Sequence, residues 1–287
     1  MFPTRFLLAL GFLSGWAWAW EVWAPLPGAF LLPLGGVPAP QGCRLHLGLA
    51  LANHLSYAAG PWGEMGFDLE EVRAELGVGY GEGSWRLQAF FPFSLFHGGV
   101  TDYLLDPLHA LLGLPHNRIQ GQVLLFARRG GAERRWEGPT LGPRDPYLRL
   151  GLDWEAGEVF GALALPLGPV ERFLGAGGFR LLLGGGWRWP GGEALAGALW
   201  PLGPQPGLEP FPYGPALLAL VRWEGLWGGP WALEVQGFLG PLRDAGPFAH
   251  GLALRLSYGV LAFGEDGTPG MPDVVLAWRG SLSLPCP

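Results

Sequence analysis

Alternation between apolar residues and small or charged residues is the dominant pattern of this chain. From position 44 to 51, leucine occupies every odd position, while Arg, His, Gly and Ala occupy the even ones. A period of two places successive side chains on opposite faces of a β-strand. Because the pattern recurs along the chain, the sequence predicts strands that each have one aliphatic face and one small or cationic face.

Strands are predicted for the segments 43–52, 69–80, 84–93, 119–128, 147–154, 158–167, 178–189, 193–202, 215–224, 230–239, 250–262 and 272–284. Their connections alternate between tight glycine-containing turns and longer loops rich in proline and glycine. The tight turns are 81–84, 155–158 and 190–193, and the longer loops are 53–67, 168–177, 203–214 and 240–249. A further tight turn at 129–132 makes 134–136 either a thirteenth strand or half of an extracellular hairpin.

Short turns on one side and long loops on the other are typical of an outer-membrane barrel. The predicted fold class is therefore all-β, a transmembrane antiparallel β-barrel of about 12 strands (range 10–14), with one short helix in a long loop. A soluble secreted β-sandwich also has period two, but rows of Arg and Gly would pack poorly as its core. Tryptophans near predicted strand ends fit an interfacial girdle: Trp85, Trp154, Trp187, Trp189, Trp200, Trp223, Trp231 and Trp278.

The first residues have the features of an export signal. Arg5 precedes the short apolar run 6–13, and Ala17-Trp18-Ala19 fits a cleavage site before Trp20. The predicted organisation is a signal peptide at 1–19, a Pro- and Gly-rich lead-in at 20–42, and a single barrel domain at 43–287. The cell outer membrane is the expected location.

Two cysteines lie at the opposite ends of the predicted barrel. Cys43 opens the first strand and Cys286 follows the last. The first and last strands are neighbours in a closed barrel with an even strand count, and export favours oxidation. We therefore expect a disulfide across this seam, with two unpaired thiols as the alternative.

Strand parity places a set of charges inside the predicted barrel. The inward arginines are Arg44, Arg73, Arg86, Arg149, Arg180, Arg188, Arg222, Arg255 and Arg279, and the inward acids are Glu75, Asp153, Glu224 and Glu234. This count leaves an excess of five positive charges in a chain whose net charge is −6. Such an interior favours anions. The alternative is a plugged lumen in which Arg and Glu form neutralising pairs.

The only helix-like stretch, about 100–112, carries the best candidates for chemistry. On a helix, Asp102, Asp106 and His109 share one face, and a carboxylate beside His is a minimal general-base arrangement. Because Asp106-Pro107 also reads as a helix N-cap and first residue, structural capping is the favoured interpretation.

The segment 67–118 resembles an uncharacterised family of exported bacterial proteins, domain-of-unknown-function family 3187. The resemblance rests on Phe67-Asp68-Leu69-Glu70, Gly77-Val78-Gly79-Tyr80-Gly81, Phe91-Pro92-Phe93, His97-Gly98-Gly99, Asp102, His109, Gly113-Leu114-Pro115 and Arg118. It implies a protein similar to outer-membrane barrels and brings no known activity.

Together these patterns predict an outer-membrane barrel that forms a narrow, porin-like or small-solute passage with a basic lumen. The alternatives are a lidded barrel that acts on or binds lipid through the Asp102/Asp106/His109 loop, and a passive structural barrel. The expected partners are membrane lipid and small anionic solutes. The acidic net charge argues against nucleic acid, and the sequence predicts no cofactor and no metal site.

Overall fold

A computed structural model describes residues 41–99, 123–211, 213–240, 242, 244–258, 261–266 and 274–286. The predicted signal peptide, most of the lead-in and the predicted helix with Asp102, Asp106 and His109 lie outside these residues. No helix in the described residues is long and apolar enough to cross a bilayer.

Fifteen strands form in the described part of the chain. They are β1 (Gly42–Gly60), β2 (Gly63–Glu82), β3 (Trp85–His97), β4 (Leu124–Arg129), β5 (Ala132–Glu137), β6 (Thr140–Pro143), β7 (Tyr147–Trp154), β8 (Gly157–Ala164), β9 (Phe179–Trp189), β10 (Gly192–Leu202), β11 (Ala216–Leu226), β12 (Trp231–Leu239), β13 (His250–Tyr258), β14 (Leu261–Asp266) and β15 (Val274–Leu284). Three short 3₁₀ helices lie at Val170–Arg172, Pro206–Leu208 and Gly246–Ala249. The predicted all-β class is confirmed.

Twelve of these strands pair antiparallel in a ring. The order is β1, β2, β3 and then β7 to β15, and β15 pairs back with β1. Tight connections such as 155–156 and 190–191 lie at one end, which we call the short-turn end. The opposite, long-loop end carries the connections 165–178, 203–215 and 240–249.

A small sheet rises above the ring at the long-loop end. β1 and β2 have 19 and 20 residues, whereas most other ring strands have 8 to 11. The extra length of β2 pairs with β4, which pairs with β5. β6 pairs with the upper part of β3. These three strands therefore belong to the rim and not to the ring.

Alternation in the ring strands separates an exposed face from a buried face. In β3, Leu87, Phe91 and Phe93 are exposed, whereas Arg86 and Gln88 are buried. The same holds in β7, where leucines are exposed and arginine is buried. The outer surface is therefore aliphatic, and the polar residues lie inside the ring.

Several strand predictions need correction. Residues 53–67 are not a loop, because β1 and β2 continue as a hairpin that turns at 61–62. The segment 250–262 is not one strand, since Tyr258 pairs with Leu261 across a two-residue connection. The described part of 119–128 lies in β4, outside the ring, and 134–136 forms the other half of its hairpin.

Candidate functional site: the interior of the ring

Apolar side chains line a large part of the inner face. They come from the consecutive strands β7 to β13 together with β3. The apolar wall consists of Phe90, Tyr147, Phe160, Ala162, Ala164, Leu182, Leu195, Leu199, Ala216, Leu218, Leu220, Phe238 and Ala253. All of these residues are buried although they belong to single-layer strands, so they face the interior of the ring.

Large side chains of the apolar wall pack over inward-facing glycines on neighbouring strands. A Cβ added at Gly77 would come within 2.6 Å of the Phe90 ring, and one at Gly184 within 2.6 Å of the Phe160 ring. Each ring therefore lies across a glycine on the neighbouring strand. This arrangement keeps the aromatic side chains against the wall and away from the axis of the ring.

A belt of alternating charges crosses five consecutive strands toward the short-turn end. Directly opposed pairs join Arg188 to Glu193, Glu193 to Arg222, Arg222 to Glu234 and Glu234 to Arg255. Opposite charges on facing strand positions stabilise a sheet, whereas like charges there would destabilise it. The belt thus neutralises its own charges along β9 to β13.

A denser cluster of charges lies on β3, β7 and β8. Arg86 contacts Glu158 and donates to both carboxylate oxygens of Asp153 at 3.0 Å. Arg149 donates to Glu158 at 3.0 Å, and its guanidinium lies 3.8 Å from the centroid of the Phe160 ring. Both arginines are almost fully buried. Because their charges are engaged, this cluster holds neighbouring strands together.

Most of the predicted lumen residues do lie on the inner side. Arg86, Arg149, Arg180, Arg222, Arg255, Glu75 and Glu234 are buried, and Arg44, Arg73, Arg188 and Asp153 are partly buried. Glu224 is exposed at its strand end, yet its Oε1 lies 3.1 Å from Nε of Arg222. Arg279 pairs in register with Gly48, but its side chain lies outside the described part of the structure.

The structure does not support the expected excess of five positive charges. Four carboxylates left out of that count are buried, namely Glu70, Glu71, Asp145 and Glu158, and Glu193 is partly buried. Glu158 and Glu193 are each the last residue of a predicted turn and the first residue of a predicted strand, and Glu71 has the inward parity of β2, so all three are identifiable from the sequence. Every inward arginine whose side chain is described, except Arg44, forms an ion pair with a carboxylate. Arg44 has no ion-pair partner within the described residues.

Two buried amide side chains lie on the inner face. Strand parity places both of them inside, but the prediction of lumen residues considers only charged side chains. Gln88 on β3 and Gln236 on β12 are both almost fully buried. The Nε2 of Gln236 donates to Glu234 at 3.2 Å, whereas its Oε1 has no hydrogen-bond partner among the described residues. Among the described residues neither the Oε1 nor the Nε2 of Gln88 has a hydrogen-bond partner. An unpartnered buried amide costs free energy, so Gln88 is an unusual residue in this wall.

An apolar cluster, which we call the cap, lies at the long-loop end. It joins β2, β3 and β4 to the three long loops through Met65, Phe67, Leu69, Phe96, Val123, Leu125, Ala127, Phe173, Leu174, Ala176, Phe211, Leu242, Ala245 and Phe248. The rings of Phe67 and Phe248 lie 5.5 Å apart, although β1, β15 and β14 separate β2 from β13 in the ring. The cap therefore connects segments that are not neighbours in the ring.

Arg134 and the partly buried Tyr213 pack against the cap. Arg134 of β5 lies 4.3 Å from the centroid of Phe173 and donates to the carbonyl of Pro206 at 2.9 Å. Burial lowers the pKa of Arg134, and Glu209 and Glu171 act in the opposite direction. Burial also raises the pKa of Tyr213, which packs against the cap.

Two adjacent residues, Arg144 and Asp145, connect the cap to the ring. Arg144 donates to Glu71 at 2.6 Å, and the Oε2 of Glu71 lies 3.3 Å from Nε2 of His54. Asp145 accepts hydrogen bonds from the backbone N–H groups of residues 168 and 176, both at 2.9 Å, and from Arg180 at 2.7 Å. The loop after β8 is therefore tied to the inner wall by one carboxylate.

The seam between β1 and β15 carries the expected disulfide. Cys43 is bonded to Cys286, with the two Cα atoms 5.4 Å apart. Their strands are paired along eleven positions, from Cys43 opposite Leu284 to Asn53 opposite Val274. The pairing of these cysteines is confirmed.

Comparisons with known proteins identify the fold but not a family. The sequence matches no protein-family model and no curated protein, so the resemblance to family 3187 stays a prediction. The COG4313 outer membrane channel from Pseudomonas putida F1 superposes with a TM-score of 0.51 at 11% identity, covering 85% of this chain and 96% of that one. A FadL homologue from Pseudomonas aeruginosa superposes with a TM-score of 0.37 at 8% identity, covering 84% of this chain and 90% of that one. This similarity is too low to support an argument. The chain has the antiparallel β fold of outer-membrane barrels.

Proposed function

We propose that this chain is an outer-membrane channel for small, largely apolar solutes. Its outward surface supports the membrane location, because exposed aliphatic side chains alternate with buried polar ones around the ring. Such an exposed apolar band is stable next to lipid and costly in water. Trp85, Trp154, Trp187 and Trp223 are exposed near the short-turn end, where an interfacial girdle belongs.

The apolar wall is the observation that carries the proposed solute class. An eight-stranded barrel is just wide enough for side chains to fill, so twelve strands enclose more space than that. The large wall residues lie across glycines on neighbouring strands, which keeps them against the wall of the ring. A passage for ions would instead present hydrated polar groups.

Charge neutralisation also supports an uncharged cargo. The arginines of the belt and of the β3–β7–β8 cluster form ion pairs with carboxylates on their own or neighbouring strands. Breaking such a buried pair to bind an anion would leave a carboxylate uncompensated. The lumen therefore favours neutral solutes over the anions that the arginine count alone suggested.

Uptake across an outer membrane tests this function. Lipopolysaccharide slows the entry of apolar solutes, so we would measure the initial rate of radiolabelled toluene uptake in a porin-deficient Gram-negative host. Expression of the protein is expected to raise the rate above that of the empty vector. No increase, with assembled barrel present in the membrane, would contradict the proposal.

Leu220 offers a matched pair of variants for the same assay. It is 1% exposed in the middle of the apolar wall. Leu220→Asp introduces a charge into the path and is expected to abolish the added uptake, whereas Leu220→Met keeps the volume and is expected to retain it. Heat-modifiable gel migration verifies that both variants assemble.

A further inference from the structure

We infer that Gln88 forms a binding subsite for the neutral hydrogen-bonding group of a solute, such as the hydroxyl of a small aromatic alcohol. This inference rests on the proposed function and narrows its solute class. Its starting point is the side-chain amide of Gln88, which is 2% exposed and has no hydrogen-bond partner within the described residues.

The position of Gln88 in the wall suits an amphiphilic solute. On the inner face of β3, Gln88 lies between Arg86 toward the short-turn end and Phe90 toward the long-loop end. It therefore marks the boundary between the charged cluster and the apolar wall. A solute whose apolar part lies against the wall would present its polar group here.

Aromatic rings lie beside the amide. His46 stacks on Phe90 with centroids 5.8 Å apart, and Phe90 stacks on Tyr147 with centroids 4.8 Å apart. A Cβ at Gly79 would lie 3.1 Å from Nε2 of His46 and 3.4 Å from Cγ of Gln88, so these two side chains converge over that glycine. The subsite thus places aromatic side chains beside one amide whose donor and acceptor have no partner within the described residues.

Neighbouring charges favour a neutral group. Arg149 faces Gln88 across the strand pair, but its guanidinium is engaged by Glu158 and by the Phe160 ring. Arg44 lies one strand beyond Gly79 and is partly buried. An anionic solute would have to use Arg44, whereas a neutral one needs only Gln88. The test separates these two outcomes.

Competition for toluene uptake is the test. Unlabelled benzyl alcohol, benzoate and toluene compete with radiolabelled toluene in cells that express the wild-type protein or Gln88→Met. We expect benzyl alcohol to compete better than benzoate. Gln88→Met is expected to weaken competition by benzyl alcohol about two- to tenfold, the value of one hydrogen bond between neutral groups, and to leave competition by toluene unchanged.

Gln236→Met is the control, because it makes the same substitution on β12, on the opposite side of the ring. It should not change the preference for benzyl alcohol. The inference is wrong if Gln88→Met also leaves that preference unchanged, or if benzoate competes more strongly than benzyl alcohol. In either case, accelerated toluene uptake would still support the proposed channel. If the protein accelerates no toluene uptake, the channel proposal itself fails, and this inference fails with it.

A stability measurement distinguishes a ligand contact from a structural one. Because the Gln88 amide is buried without a partner, Gln88→Met should not lower the midpoint of heat-modifiable migration of the solute-free protein. A clearly lower midpoint would show that the amide supports the fold, and would overturn the inference.

Discussion

Substitution of Asp145 tests how the cap is held at the long-loop end. Its two carboxylate oxygens accept hydrogen bonds from the N–H groups of residues 168 and 176 and from Arg180. Asp145→Asn keeps the shape but removes the charge, and its NH₂ group replaces one of these acceptors. Arg180, which is 2% exposed, then lacks its counter-charge.

The free-energy cost of Asp145→Asn follows from the burial of the Asp145–Arg180 ion pair. Removing one partner of a buried ion pair costs about 3–5 kcal/mol. If this cost appears as local opening of the loop 165–178, the open population rises by roughly two to four orders of magnitude. The loop carries an exposed arginine, Arg172, as a site for trypsin.

Limited proteolysis measures this opening. When the loop recloses faster than it is cut, the cleavage rate follows the open population. We expect cleavage after Arg172 to be at least a hundredfold faster in Asp145→Asn than in the wild type. Glu133→Gln is the control, because it removes only an exposed ion pair with Arg128, worth about 0–1 kcal/mol. Equal cleavage of all three proteins would refute the assigned role of Asp145.

Three further predictions test the ring. Cys43→Ser should lower the midpoint of heat-modifiable migration, since the disulfide closes a loop of 243 residues and such a crosslink contributes up to about 5 kcal/mol; an unchanged midpoint argues against its contribution. Glu158→Gln should lower the urea midpoint of tryptophan fluorescence by the equivalent of about 3–5 kcal/mol, because two buried arginines lose a counter-charge. Glu137→Gln, in an exposed pair, should cost less than about 1 kcal/mol, and equal effects would contradict the assigned burial. Gly184→Ala should destabilise by about 1–3 kcal/mol in the same assay, because the added Cβ would lie 2.6 Å from the Phe160 ring and 2.7 Å from the backbone oxygen of Ala196. Its cost should be smaller when Phe160 is already alanine, and strictly additive effects would rule out the contact with the ring.

Strand alternation was enough to predict the architecture of the ring, but the predicted number of strands depended on two errors that cancel. The segment 119–128 was counted as a ring strand, although its described part pairs with the rim extension of β2. The segment 250–262 was counted once, although it contains β13 and β14. A shift of the apolar positions from even to odd numbers after Tyr258 was the signal of the missed turn.

The interior was harder to predict, because strand parity indicates the face on which a side chain lies but not the residue that it contacts. Strand parity places Arg86 and Arg149 inside, but Glu158, at the junction of a predicted turn and a predicted strand, is not counted among the inward acids, so the arginines have too few predicted partners. Asp145 lies outside any strand, and its role depends on a loop that follows it by more than twenty residues. No local pattern reveals such contacts. The cap was missed for the same reason, because it joins segments that are distant in sequence.

The comparison of one neutral and one charged solute tests the central claim most directly. Toluene and benzoate share the same ring, and they differ by a carboxylate that carries a negative charge at neutral pH. In the porin-deficient host, the protein is expected to raise the initial uptake rate of radiolabelled toluene and to leave that of radiolabelled benzoate near the empty-vector rate. If the protein accelerates benzoate uptake as much as toluene uptake or more, the account of a charge-neutralised, apolar lumen is wrong. Such a result would instead support the anion passage that the count of inward arginines predicts.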